Sequence, residues 1–367
     1  MTLHPGAWWL WALGLAAVAG RTTNPVLLGL VIAIAGYVAV SCRQNTPWAS
    51  SYGMFVKFGL IVLGIRVFFH MLLGGITGPT MLFTLPQVEL PSWSQGIRLG
   101  GPVSLEGLVF ALNNGLQLAA LLSCVGAANA LANPKRLLRS LPAALYEVSV
   151  AVVVAMTVAP QLASSARSIR RARALRGDVP RGWRAIRTLL VPVLEDALAR
   201  SLALAAAMDS RGYGRNTGLS RGARGLTGVL VLAGLLGLCV GAYGLLDGSA
   251  PAVIGLPMLL LGGGLAVAGL VVGSRRVRRS RYRPDRWRSA EVLVGGSGLV
   301  ATAATFVVES LGPELGARLG VAAMIPSVVP LQAPELPLVP AAAVLVALLP
   351  VLLIRGAKAT EREEVPT

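Results

Sequence analysis

Apolar runs of helical length dominate this chain, at roughly 6–20, 24–42, 53–74, 103–131, 143–162, 188–210, 226–246, 251–273, 290–309 and 337–354. Several approach or exceed the ~20 residues that a helix needs to cross the hydrocarbon core of a bilayer. Only 13% of the 367 residues are charged and 54% are hydrophobic, whereas a soluble protein carries about 25% charge. The expected fold class is therefore all-α, a polytopic helical membrane protein. Asn24-Pro25 starts the second run, where proline suits a first helical turn. The Gly/Pro-rich link 75–102, with Leu82, Phe83, Leu85, Leu90 and Trp93, is expected to lie as a loop along the membrane interface.

The net charge of +17 is concentrated. Residues 163–225 hold thirteen arginines and four acids, a net +9, and residues 274–289 hold eight arginines and one aspartate, a net +7. In a soluble protein such an excess would suggest nucleic acid; here the positive-inside rule is the simpler account and places both segments in the cytoplasm. The block Arg275–Arg283 reads first as a topology anchor, with anionic-lipid or nucleic-acid binding as the other reading. The N-terminus lacks the basic region of a cleavable signal, so 6–20 is expected to be a first membrane helix or hairpin.

Two runs do not fit as crossings. The run 143–162 has basic residues on both sides, Lys135, Arg136 and Arg139 before it and 163–187 after it. The run 188–210 lies between Arg181, Arg184 and Arg187 and Arg211 and Arg215. It also contains Glu195, Asp196 and Arg200, and a charge at the centre of a membrane helix costs ~2.5–3.5 kcal/mol. The consistent count leaves both as long helices at or below the cytoplasmic face, packed on each other. Eight spanning segments remain. Both termini and residues 132–225 then lie inside, with Arg21 as one mild violation. Asp196 and Arg200 can pair at i,i+4.

Each of these helices has a basic end stopped by glycine. One ends Arg170-Arg171-Ala172-Arg173-Ala174-Leu175-Arg176-Gly177. The other ends Ala206-Ala207-Met208-Asp209-Ser210-Arg211-Gly212-Tyr213-Gly214. A cation complements the negative end of the helix dipole, and glycine supplies a left-handed cap without steric cost. These can be ordinary caps on a positive face. They can equally be blunt tips that enter grooves on a soluble partner and pair a guanidinium with its oxygens.

These residues resemble the transmembrane T component of energy-coupling factor (ECF) transporters, the EcfT/CbiQ family. That family has two coupling helices ending in Ala-Arg-Gly-type motifs that dock in two ABC ATPase subunits. Leu175-Arg176-Gly177 is similar to the first motif and Ser210-Arg211-Gly212 to the second, with Leu175 and Ser210 where the family prefers alanine. The resemblance covers about residues 20–246. It implies a membrane protein with cytoplasmic coupling helices, in which Arg176, Gly177, Arg211 and Gly212 contact the ATPases and Arg173, Met208, Asp209 and Ser210 support them. It implies 1–132 as N-terminal membrane helices, 133–225 as the coupling domain and 226–246 as a closing membrane helix. Residues 247–367 form an extension of about three more spans.

The implied function is the T component of an importer for vitamins or transition-metal ions. Its partners would be two ABC ATPase subunits or a fused pair, a membrane-embedded substrate-binding S component and the bilayer, without nucleic acid. No cofactor and no catalysis are expected of the chain itself. Its three lysines, Lys57, Lys135 and Lys358, do not follow glycine, so there is no Walker A sequence. The rival reading is a membrane-embedded enzyme whose basic loops bind phosphorylated lipid or other anionic substrates. Such enzymes usually show carboxylate or histidine clusters, and here Glu195 and Asp196 are adjacent and diverge on a helix. His4 and His70 build no metal site. Cys42, Cys124 and Cys239 read as small core residues. Gly262–Gly264 and Gly295–Gly298 read as helix-packing sites. Asn113, Asn114 and Gln117 read as helix–helix hydrogen-bonding groups or the lining of an interior path.

Overall fold

The computed structural model describes residues 3–43, 51–74, 76–88, 99–140, 145–177, 183–212, 221–246, 251, 253–276, 287–310 and 322–354. The basic residues Arg278–Arg283, the tail from Arg355, Arg181, Arg215 and the Tyr213-Gly214 end of the second motif lie outside the described residues. The chain forms two compact units, Met1–Leu137 with Asp285–Thr367, and Leu138–Pro284.

The first unit holds α1 (Pro5–Gly20), α2 (Pro25–Cys42), α3 (Ser51–Leu73), a hairpin of β1 (Met81–Val88) and β2 (Leu99–Ser104), and α4 (Leu105–Leu131). The C-terminal segment adds α10 (Ser289–Ser310), a 3-10 turn at Ala322–Met324 and α11 (Leu338–Val346). Helix α5 (Pro134–Ser140) straddles the boundary. The second unit holds α6 (Tyr146–Leu175), α7 (Trp183–Ser210), α8 (Arg221–Leu246) and α9 (Leu256–Arg276).

Helix α1 is apolar on all sides, which suits the middle of a bundle. Trp8, Trp11, Leu15 and Val18 are buried in it. Helices α4 and α10 pack against it. Helices α1 and α10 cross where Gly14 meets Gly298, and a Cβ on Gly298 would stand 2.6 Å from the Trp11 Cα. Small residues at such a crossing let backbones approach and exchange dispersion contacts, which is what holds helices together in lipid. The Thr302 hydroxyl donates to the Gly14 carbonyl at 3.0 Å. Gln117 of α4 donates to the Ala19 and Gly20 carbonyls at 3.1 Å each, satisfying the open end of α1. This settles Gln117 as a helix–helix hydrogen-bonding group, while Asn114 bonds its own helix at Phe110.

Between α1 and α2 a polar knot ties the chain to its C-terminal segment. Asn24 accepts from the Val26 and Leu27 N–H groups as the α2 N-cap. Its amide donates to the Ala323 and Glu335 carbonyls at 2.6 Å each. The Thr22 hydroxyl donates to the Met324 carbonyl at 2.6 Å. Thr22 and Asn24 are fully buried, so these bonds replace water.

The expectations for 75–102 and for Cys239 are corrected. Residues 75–102 are not wholly loop: β1 and β2 pair antiparallel with irregular register. Gly100 and Gly101 take positive φ of 85° and 129°, and a Cβ on Gly100 would collide with the Pro86 carbonyl. The glycines and proline that read as loop thus permit a bulged two-stranded hairpin. The set of membrane-length helices also differs. Seven described helices are long and apolar enough to cross, and Val148–Leu175 is among them. Helix α1, with 16 residues, is shorter than a typical span, and 338–354 is broken at Ala347–Leu348. Pro350 has no N–H to offer the Val346 carbonyl and its ring crowds that oxygen. Finally, Cys239 is exposed on α8, while Cys124 is buried and Cys42 half-buried.

In the second unit, α8 and α9 form a close pair. A Cβ on Gly237 would meet the Gly262 Cα at 2.8 Å, and one on Gly241 would meet the Leu259 N at 2.5 Å. Gly262, Gly295 and Gly298 are thus packing glycines, whereas Gly264 and Gly296 face open space.

Candidate functional site

The ends of α6 and α7 share one geometry. At the first, the Arg176 N–H donates to the Arg173 carbonyl at 3.0 Å and the Gly177 N–H to Ala174 at 3.1 Å. At the second, the Arg211 N–H donates to Met208 at 3.1 Å and the Gly212 N–H to Asp209 at 2.9 Å. Each last turn therefore tightens to an i→i−3 pattern, which occupies carbonyls that a helix end leaves open. Gly177 and Gly212 have φ of +77° and +74°. No atom lies within 4 Å of the point where a Cβ on either would stand. Backbone conformation, not crowding, is what calls for glycine at both positions.

The side chains around these turns are outward. Arg176, Gly177, Asp209, Ser210, Arg211 and Gly212 are exposed, while Arg173 and Met208 are half-buried. Leu175 is 90% exposed, an apolar side chain left in the open beside an arginine. The Ser210 hydroxyl folds back onto the Ala207 carbonyl at 3.0 Å. Its polar group is satisfied within the helix, so it presents little more than a small side chain at the tip.

Ser165 and Asp196 join the two helices. The Ser165 hydroxyl donates to Asp196 Oδ2 at 2.6 Å. Arg200, one turn on, donates from Nε to Asp196 Oδ1 at 3.0 Å and brings Nη2 within 2.9 Å of Oδ2. The Ser165 hydroxyl and the Arg200 guanidinium hold the Asp196 carboxyl below the ordinary carboxylate range. Sequence reasoning finds the Asp196–Arg200 pair but misses Ser165. The available signal was a small hydroxyl residue within a helix whose neighbour carries the acids Glu195 and Asp196 along its length.

Among the described residues no group of three or more His, Cys, Asp or Glu could hold a metal ion. The family model of CbiQ, cobalt transport protein, matches residues 2–219, more than half of the chain and including both helix ends. The match starts earlier than the expected 20 and stops short of 246. No curated protein and no solved structure matches the chain.

Proposed function

We propose, from the premise that this chain belongs to the CbiQ cobalt transport protein family, that it is the transmembrane coupling (T) component of an ECF-type importer for vitamins or transition-metal ions. It transmits motion between cytoplasmic ATPases, two subunits or a fused pair, and a separate substrate-binding S component in the membrane. Hydrolysis belongs to the ATPases, and the S component sets the substrate.

The observation that supports this reading is the repetition of one exposed helix end, backbone bond for backbone bond, at Arg176-Gly177 and Arg211-Gly212. A single such end is an ordinary cap. Two of them on neighbouring helices make a pair of matched cationic tips. Guanidinium groups at these points suit forked pairing with carboxylate or carbonyl oxygens in a groove. Arg173 and Met208 buttress the last turns, and Asp209 and Ser210 supply carbonyl and hydroxyl groups within them.

In this reading α6 and α7 lie on the cytoplasmic side, as do both termini. Arg167, Arg170, Arg171 and Arg173 crowd the second half of α6, and α7 carries Glu195, Asp196 and Arg200 within its length. Hydrocarbon is a costly place for either set. The length of α6 alone would allow a crossing; its charge argues for the cytoplasmic face.

The test is copurification. Arg176→Glu together with Arg211→Glu reverses the charge of both tips without touching a buried residue. The double variant is expected to insert in membranes and to lose its ATPase partners. ATPases retained at the wild-type level would overturn the proposal.

A further inference from the structure

The junction between α6 and α7 carries a mechanical role that the tips alone do not explain. From Gln161 to Arg170, Ser165 is the one buried residue of α6, at 7% exposure. Its hydroxyl meets a carboxylate already gripped on two oxygens by Arg200. An O–H···O⁻ bond of this length belongs to the strong, charge-assisted class. Arg200 fixes the Asp196 rotamer, so the acceptor stands ready instead of sampling solvent.

Two prolines flank the junction. Pro160 lies inside α6, five residues before Ser165, and Pro192 lies inside α7, four before Asp196. Each removes one backbone hydrogen bond and crowds the carbonyl a turn earlier, which makes that turn the softest in its helix. Beyond the junction both helices run without proline to their glycine stops. Arg176 lies eleven residues past Ser165 and Arg211 fifteen past Asp196. At 1.5 Å per residue these arms are about 16 Å and about 22 Å long. Each helix thus has a soft turn, a polar lock and a stiff arm ending in an arginine.

We propose that Ser165 and Asp196, with Arg200 as strut, form the fulcrum at which α6 and α7 are locked, so that displacement of one arginine–glycine tip is passed to the other. These are positioning residues. They act through the helices and touch neither ATPase nor substrate. The proposal rests on the coupling reading above. It adds that coupling passes through one polar contact and not through apolar packing along the helices.

The experiment uses the full chain with Cys42, Cys124 and Cys239 changed to alanine and exposed positions Arg171 and Ala205 changed to cysteine and spin-labelled, one on each arm. In the otherwise unchanged protein the inter-arm distance distribution is expected to be narrow. Ser165→Ala and Asp196→Asn are each expected to broaden it, and Ser165→Thr, which keeps the hydroxyl, to restore it. In membranes carrying the ATPases and the S component, Ser165→Ala and Asp196→Asn are expected to copurify with the ATPases normally yet lower uptake of the S component's substrate roughly tenfold, the size of a coupling term. Distributions that stay narrow in both variants, or uptake that stays at the wild-type level, would overturn the fulcrum. The distance measurement needs no partner. A chain that never captured ATPases would therefore refute the coupling reading while leaving the lock itself tested.

Discussion

The indole N–H of Trp11 donates a 3.0 Å hydrogen bond to the carbonyl of Ala347, across 336 residues of chain. Ala347 sits at the break in the last apolar helix, where the approach to Pro350 leaves carbonyls without helical partners. A buried Trp has its one donor satisfied there. Trp11→Phe keeps most of the apolar volume but leaves that carbonyl unpaired, at a cost of about 1–3 kcal/mol. Thermal unfolding in detergent should register a lower midpoint. An unchanged midpoint would show that water or a relaxed turn replaces the indole.

The α1–α10 crossing is less forgiving. A side chain at Gly298 meets the backbone of Trp11, not the end of a flexible group. Gly298→Leu must push the two helices apart, and overpacking of this kind costs typically ~1–3 kcal/mol or more. Gly296→Leu, two residues away and facing open space, is the control. The first variant should unfold at lower temperature and the second near wild type. Equal midpoints would deny the close approach.

Asn24 joins both halves of the first unit through one side chain. Asn24→Ala removes the α2 N-cap, about 1 kcal/mol, and strips the carbonyls of Ala323 and Glu335 of a donor, about 0.5–1.5 kcal/mol for each bond lost. Asn24→Ser keeps a capping oxygen but not the amide donors, so it should fall between the two. Unfolding midpoints in the order wild type, Ser, Ala are expected. A Ser variant as stable as wild type would show that the two carbonyls do not depend on Asn24.

Much of this architecture is legible in the sequence because apolar length and glycine stops are local signals. The ends of α6 and α7 fall at Leu175 and Ser210 since Gly177 and Gly212 enforce left-handed caps. Other features are not local. Trp11, Gly14 and Asn24 read as an ordinary first helix and turn, and nothing nearby in the chain says that Gly298, Ala323 and Ala347 close over them. The segment 75–102 misleads because Pro86, Gly100 and Gly101 suit loops and bulged hairpins alike. Ser165 was silent for a further reason: serines are frequent in α6, and only the packing of α7 selects one of them.

The glycine stops themselves give a graded prediction. Gly177→Ala and Gly212→Ala place a Cβ in open space but force a left-handed residue to carry it. Each should cost about 1–2 kcal/mol of local stability. The loss should appear as faster hydrogen exchange confined to the last turn, at Arg176 or Arg211, while the midpoint of global unfolding stays in place. Gly177→Asn, which tolerates the left-handed region, should recover most of the protection. Unaltered exchange in both alanine variants would mean that the turns do not depend on the glycine backbone.

The Ser165–Asp196 lock has a defined pH limb. Because the folded carboxyl titrates below its ordinary range, the stabilisation is present in full above the unfolded value of about 3.9. It is lost as pH falls through the lower, folded value. Between about pH 5 and 8 both states are ionised and the lock should not respond to pH. The inter-arm distance distribution of the spin-labelled chain should therefore stay narrow from pH 8 to 5. As pH falls through that lower, folded value it should broaden toward that of Asp196→Asn, which lacks the titrating group. The Asn variant should be broad at every pH. Broadening of the wild-type distribution on going from pH 5 to 8 has the wrong sign for a depressed carboxyl and would assign the contact to another group.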